Sequence, residues 1–259
     1  SSAAKEYLKV YGVLVGKNPL VFTNNDSGYE TAIEFKKNGV DPIVLDTRKD
    51  NNSEIIKESK ELKINIKFSH VVVAAKGYKK VNSADIAKIS DDKKELFNIE
   101  NIECDCICVS GFWTPSIHLA SQSGNKSKFN EKIDAFVPDK SKQKENTIGS
   151  ANGIFTLDET IKDAFDKGFD VSNKITEKNI KVSAPTVVEK KSTEHDKFWC
   201  VPLPKGKSYK RFLDFQNDVA VTDIELALRE GFRSIEHVKR YTTLGMATDQ
   251  GKTSNLNGL

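Results

Sequence analysis

Along the first half of the chain the hydrophobic period switches between helix and strand several times. Ala4-Lys-Glu-Tyr-Leu-Lys-Val-Tyr11 spaces its apolar positions as a short amphipathic helix does. Asn18-Pro-Leu-Val-Phe-Thr23 is a compact apolar run leaving a proline turn, which predicts a strand. Residues 27–37 return to helical spacing and meet Asn38-Gly39, a stop signal. Asp41-Pro-Ile-Val-Leu-Asp46 predicts a second strand, residues 53–63 a polar helix, and residues 64–68 and 71–75 further strands. Residues 77–103 suit the strands and turns of a meander, and Cys104–Ser110 a buried central strand. No regular pattern stands out again until Thr156-Leu-Asp-Glu159, a capping box opening a helix through Phe165 with a stop near Gly168. Residues 176–210 are rich in Lys, Glu and Ser and carry Pro185, Pro202 and Pro204, so an extended connector is expected there. Thr222-Asp-Ile-Glu225 is a second capping box, with Gly231 as its stop; Ser234–Thr243 predicts the last helix, stopped by Gly245.

Strand, tight turn, helix and strand, with an acid about 20 residues beyond the turn, form the βαβ dinucleotide pattern. The turn here is Thr23-Asn-Asn-Asp-Ser-Gly28. In the G-x-G-x-x-G fingerprint the first two glycines permit the tight turn and the approach of a pyrophosphate, and the third permits close helix–strand packing. Thr23 and Asn25 replace the first two, and only Gly28 remains. Asp26 adds negative charge where a pyrophosphate would sit, while Asp46 matches the acid that would hold a ribose. The fold signal is kept and the phosphate signal damaged, so both a structural βαβ unit and a working site stay open.

Composition narrows the function classes. A net charge of +3 over 259 residues, without an Arg/Lys stripe among aromatics, gives no case for nucleic acid. The apolar runs fall far short of the roughly 20 residues that span a bilayer. Ser1-Ser-Ala-Ala-Lys-Glu lacks the apolar core of a signal peptide, and with reduced thiols this points to the cytoplasm. A start without Met and a polar end suggest a piece of a longer polypeptide. Cys104-Asp-Cys-Ile-Cys108 places three cysteines at strand alternation, expected on one face as small buried side chains in preference to a metal site. Cys200, beside Trp199, is read as part of the extended segment, with a reactive thiol as the alternative. His70, His118, His195 and His237 are scattered, with no ligand or catalytic spacing.

An ordered set of motifs carries a family resemblance over nearly the whole chain. It comprises Phe22-Thr-Asn-Asn-Asp-Ser-Gly-Tyr29, Val44-Leu-Asp-Thr-Arg48, Val109-Ser-Gly-Phe-Trp-Thr-Pro115, Gly149-Ser-Ala-Asn-Gly153, Arg211-Phe-Leu-Asp-Phe-Gln-Asn-Asp218 and Met246-Ala-Thr-Asp-Gln-Gly-Lys-Thr253. Together they resemble the middle of the alpha subunit of heterotetrameric sarcosine oxidase. The last 49 residues also look like a helical [2Fe-2S] ferredoxin-like domain of the bacterioferritin-associated kind. Asp214, Gln216, Asp249 and Ser254 stand where its four cysteines would be, and no thiolate remains to hold a cluster.

The resemblance implies an α/β, Rossmann-like, two-dinucleotide flavoprotein architecture, present in part, with a small all-helical C-terminal subdomain. Residues 1–15 would be a hinge segment and 16–100 the second dinucleotide-type domain. Residues 101–175 would return to complete the first, 176–210 connect, and 211–259 form the cluster-less subdomain. The Gly-Asp turn of such proteins is Gly149-Ser150 here; the missing Asp fits a family whose alpha subunit is thought to hold NAD where relatives hold a flavin. By position Gly111, Ser150, Phe155 and Leu157 would line that cofactor, with plain helix-start core packing equally open for Phe155 and Leu157. No catalytic residue and no metal ligand is implied in these residues. The enzyme would oxidise sarcosine to glycine with oxygen and pass the one-carbon unit to tetrahydrofolate, bound by a later domain of the same subunit. FAD and FMN would belong to the beta subunit, with gamma and delta subunits as further partners. A related amine, opine or proline dehydrogenase or cyanide synthase remains an alternative, as does a non-catalytic interaction module with an empty nucleotide site.

Overall fold

The computed structural model describes residues 1–177, 182–187 and 195–259. They fall into two compact units, one of Ser1–Ser110 with Asp196–Leu259, the other Gly111–His195.

The first unit is built on a parallel sheet. Strands β1 (Pro19–Thr23), β2 (Ile43–Asp46), β3 (Asn65–Phe68) and β7 (Cys106–Ser110) run in the order β3-β2-β1-β7. Helix α2 (Ser27–Lys37) crosses from β1 to β2 and α3 (Glu54–Glu61) from β2 to β3, the connection parallel neighbours require. Period two sorts each strand between two apolar layers. Val21, Val44 and Cys108 pack with Ala4 of helix α1 (Ser2–Tyr11), Tyr29, Ala32, Ile33 and Phe35 of α2, and Ile56 of α3. Leu20 and Leu45 face the other way, toward Ala84 and Ile86 of an antiparallel meander, β4 (His70–Gly77), β5 (Val81–Ile89) and β6 (Leu96–Glu103). A sheet covered on both faces explains why β1 reads as an unbroken apolar run.

Two expectations about the cysteines change. β7 is an edge strand of this sheet, not a central one. Cys104 precedes it and packs with Leu20 and Leu45, on the opposite face from Cys106 and Cys108. Alternation starts only where the chain becomes extended, at Cys106. The Sγ atoms of Cys106 and Cys108 are 3.7 Å apart. The hydrogen bond from Cys108 draws the Cys106 thiol down to about 7, and the same contact pushes Cys108 up.

The second unit starts with an irregular segment and helix α4 (His118–Gln122), followed by a hairpin of β8 (Ser127–Asn130) and β9 (Ala135–Pro138) that the sequence pattern does not announce. A 3-10 turn, Gly149–Asn152, leads to α5 (Leu157–Thr176). Half of the capping box forms: Thr156 Oγ1 accepts from the Glu159 amide at 3.4 Å, while the Glu159 carboxylate accepts from the Thr156 hydroxyl at 2.8 Å and not from its backbone amide. The helix does not stop at Gly168 but continues to Thr176. One exposed glycine costs a helix only about 1 kcal/mol, less than the turns beyond it return.

In the C-terminal stretch of the first unit, β10 (Phe212–Asp214) and β11 (Val219–Ala220) form a short ribbon that runs into α6 (Val221–Arg229), α7 (Ile235–Thr242) and α8 (Asn255–Gly258). Helix α6 is capped at Ala220, two residues before the expected Thr222. Asp223 does this by accepting from the Ala220 amide at 2.8 Å. Gly231, at φ 92°, follows the end of α6 as expected, and α7 lies between its caps Ser234 and Thr243, the expected bounds, with Gly245 two residues beyond. Of the connector expected over 176–210, residues 178–181 and 188–194 lie outside the described residues.

Candidate functional site

In a parallel sheet, nucleotides bind beyond the carboxyl ends of the strands. For β1 and β2 that place is filled by the protein itself. Thr23, 2% exposed, turns its hydroxyl back to the Asn25 carbonyl at 2.7 Å. Asn25 donates to the Ser110 carbonyl at 3.2 Å and accepts from the Ser27 amide at 2.9 Å. A Cβ at Gly28 would lie 2.5 Å from Thr23 Cβ, so α2 reaches β1 only because residue 28 is glycine.

The ribose-type acid is also engaged. Asp46, fully buried, accepts from the Tyr29 hydroxyl at 2.8 Å and from Arg48 Nη2 at 2.9 Å. Arg48 Nη2 lies 2.8 Å from Asp26 Oδ1, so one guanidinium answers both carboxylates. Burial, then the neighbouring Asp46 charge, pushes the Tyr29 phenol far above its usual range. Over this rim sits Asp196. Its amide donates to the Asn24 carbonyl at 2.9 Å, its carbonyl accepts from Asn24 Nδ2 at 2.8 Å, and its carboxylate accepts from Thr47 Oγ1 at 3.0 Å and pairs with Lys93. Arg48 was not paired with Asp46 from the sequence, although a separation of two residues is a local signal for it. Asp196 offers no such signal, because it lies 172 residues from Asn24 in a stretch with no periodicity.

The four residues read from the family resemblance all lie in the second unit. Gly111 and Phe155 come to one neighbourhood. Phe155 packs its ring against Phe112 at 5.8 Å and Trp113 at 5.9 Å, the two residues after Gly111. Phe112 stacks on His195, whose Nε2 lies 3.1 Å from Asp134 Oδ2. His195, read from the sequence as isolated, thus has a carboxylate partner 61 residues away. Ser150 is exposed on the 3-10 turn. Leu157 is 57% exposed, which removes the core reading for it within this unit. Gly149 takes φ 59°, and a Cβ there would meet Thr160 at 2.8 Å. Thr156 answers the Glu159 amide of α5, and the Gly149 amide donates to the Asp163 carboxylate at 3.1 Å, so of the Gly149–Ser150 turn it is Ser150 that faces the surface.

At the C-terminal block the four positions of the cysteine-less pattern are brought together in pairs. Asp214, 3% exposed, accepts from the amides of Gln216 and Gly245 at 2.9 Å each and from Ser254 Oγ at 3.4 Å. The Thr253 hydroxyl foremost, with Gln216 also contributing, holds the Asp249 carboxyl below its usual range. Among the described residues no group of three or more His, Cys, Asp or Glu is placed to hold a metal ion. No helix among them is long and apolar enough to cross a membrane.

The sheet order, the βαβ crossover and the acid at the end of β2 define a Rossmann-like α/β fold whose crevice beyond β1 and β2 is closed by its own side chains. Residues 208–259 match the model of the Sarcosine oxidase A3 domain family. Along its whole length the chain is similar to sarcosine oxidase alpha subunits. It is 31% identical to that of Rhizobium meliloti (strain 1021), over 100% of this chain and 25% of that subunit. With that of Corynebacterium sp. (strain P-1) it shares 29% identity, over 99% of this chain and 27% of that subunit. It thus spans about a quarter of the length of these curated relatives. Among solved structures, T. acidophilum thioredoxin reductase aligns with TM-score 0.49 and 16% identity, over 61% of this chain and 53% of that one. Lactococcus lactis thioredoxin reductase aligns with TM-score 0.45 and 18% identity, over 62% and 52%.

Proposed function

We propose that this chain is the central part of a sarcosine oxidase alpha subunit, and that it holds NAD structurally and joins subunits, without catalytic residues of its own. The reaction of the assembled enzyme would be oxidative demethylation of sarcosine to glycine with oxygen as acceptor and one-carbon transfer to tetrahydrofolate. FAD and FMN would sit on the beta subunit. The observation that carries this reading is similarity to named alpha subunits along the entire chain.

Within the chain, the closed crevice at Thr23–Gly28 leaves the Gly149–Ser150 turn as the better place for a pyrophosphate. Gly111 supports this: a Cβ there would meet nothing within 4 Å of its own chain, so internal packing does not require glycine. Close approach of a cofactor would. Phe155 and Leu157 then line the same site, the one braced by Phe112 and Trp113, the other exposed. Acid release of nucleotide from the purified protein, identified by mass spectrometry, tests the proposal. Stoichiometric NAD, lost in Ser150→Asp and kept in Thr23→Val, is the expected result. Flavin in its place would overturn it.

An assembly role rests on the C-terminal block. Leu226 is 37% and Leu228 53% exposed on α6, and Phe215 is 81% exposed beside it. Such a small helical unit lacks the metal or disulfide that often compensates for a thin core, so coverage by beta, gamma or delta subunits is proposed for this face. Reversing Arg229, Arg233 and Lys239 together should weaken co-purification with the beta subunit at moderate salt. A non-catalytic interaction module is the second reading, favoured by the self-filled crevice; a protein that releases no nucleotide would support it.

A further inference from the structure

Cys106 and Cys108 lie two residues apart on β7, in the apolar layer they share with Ala4 of α1 and Val21 of β1. Their sulfurs are 3.7 Å apart. Cys106 is half-buried and Cys108 buried. Cys104 faces the other layer and Cys200 is exposed.

The backbone disfavours a disulfide between them. Residues i and i+2 of a strand are about 6.6 Å apart along it, near the upper limit of Cα separation for a disulfide, and their Cβ bonds run parallel when they should converge. The ladder holds that spacing, with Cys106 opposite Pro19 and Cys108 opposite Val21. Two parallel sulfurs at this distance suit a single shared ion instead. With metal–thiolate bonds of about 2.3 Å, sulfurs 3.7 Å apart hold one ion in a bent arrangement. Rotation of the half-buried Cys106 side chain widens it toward linear.

Coordination number selects the ion. Calcium and magnesium require six or more ligands, chiefly oxygen, and structural zinc requires four. No third His, Cys, Asp or Glu among the described residues joins this pair. Two soft thiolates in an apolar layer match a soft monovalent ion content with two ligands. We propose that Cys106 and Cys108 form a two-sulfur site for a soft monovalent cation of the copper(I) class, reached from the Cys106 side. Binding releases the thiol protons to solvent and changes no oxidation state.

Anaerobic titration of the intact protein with copper(I), in competition with bathocuproine disulfonate, tests the site. One equivalent per chain should be withheld from the chelator. It should be lost in Cys106→Ser and in Cys108→Ser and kept in Cys104→Ser and Cys200→Ser, with circular-dichroism melts confirming that each variant folds. Complete transfer to the chelator by the wild type overturns the proposal, as does retention that survives both key substitutions. Should the serine variants fail to fold, copper-edge X-ray absorption of the loaded wild type decides. Two sulfur neighbours support the site; a shell with nitrogen or oxygen ligands, or with more than two neighbours, overturns it.

Discussion

The turns that lead into α2 and α5 do the same topological job and are built in opposite ways. At Thr23–Gly28 the side chains fold inward: Thr23, Asn24 and Asn25 are nearly buried, and Asp26 and Asp46 share Arg48. At Gly149–Thr156 the backbone is equally constrained, but Ser150 and Leu157 point to the surface. A turn whose side chains bond mainly to one another contributes to stability and leaves a ligand little to bind. A turn with an exposed rim contributes less to stability and keeps Ser150 at the surface, although its Gly149 amide is bonded to Asp163.

Breaking the closed turn should therefore hurt folding most. Asp46→Ala strands Arg48 and the Tyr29 hydroxyl in a buried site, and we expect a loss of about 3–5 kcal/mol in urea unfolding. A loss below about 1 kcal/mol would mean that water reaches this network and the contrast is false. Next in size is Gly28→Leu, expected to cost about 1–3 kcal/mol through overpacking on Thr23. Gly111→Leu is the matched control: its melting temperature should stay near wild type while bound nucleotide disappears. Equal destabilisation of both variants would erase the distinction between the two turns.

At the open turn, Thr156→Ala removes the side-chain cap of α5 and should cost about 1 kcal/mol. The smallest effect is an alkaline one. Tyr29 has its folded-state pKa raised above the unfolded value, so its stabilising contribution is complete below the ordinary tyrosine range near about 10 and declines as pH rises past it. Urea midpoints between neutral and alkaline pH should fall more steeply in wild type than in Tyr29→Phe. Parallel slopes would show that the Tyr29 hydroxyl is not held as described.

Much of the first unit was legible because its signals are local. The unbroken apolar run of β1, period 3.6 in Tyr29–Phe35 and the Asn38-Gly39 stop need no distant partner to be read, and they place α2 at Ser27–Lys37. Gly28 and Asp46 were readable as fold markers for the same reason. The hairpin of β8 and β9 was missed because β8 is four mostly polar residues and β9 an apolar run of only four, too short for its period to separate strand from helix. Gly168 misled because a stop signal acts only where the helix has nothing further to gain.

The sequence by itself determined the βαβ unit, the damage to its phosphate turn and the absence of thiolates at the four C-terminal positions, since each depends on residue type at fixed spacing. Tertiary structure alone decided what replaced the missing groups. Asp196 closes the crevice of Asn24 and Thr47, Asp134 meets His195, and Asp214 collects the Gly245 amide and Ser254. A buried polar group must find a partner, but the chain does not encode which one in any local period; only the folded packing brings residues so far apart in sequence within hydrogen-bonding distance.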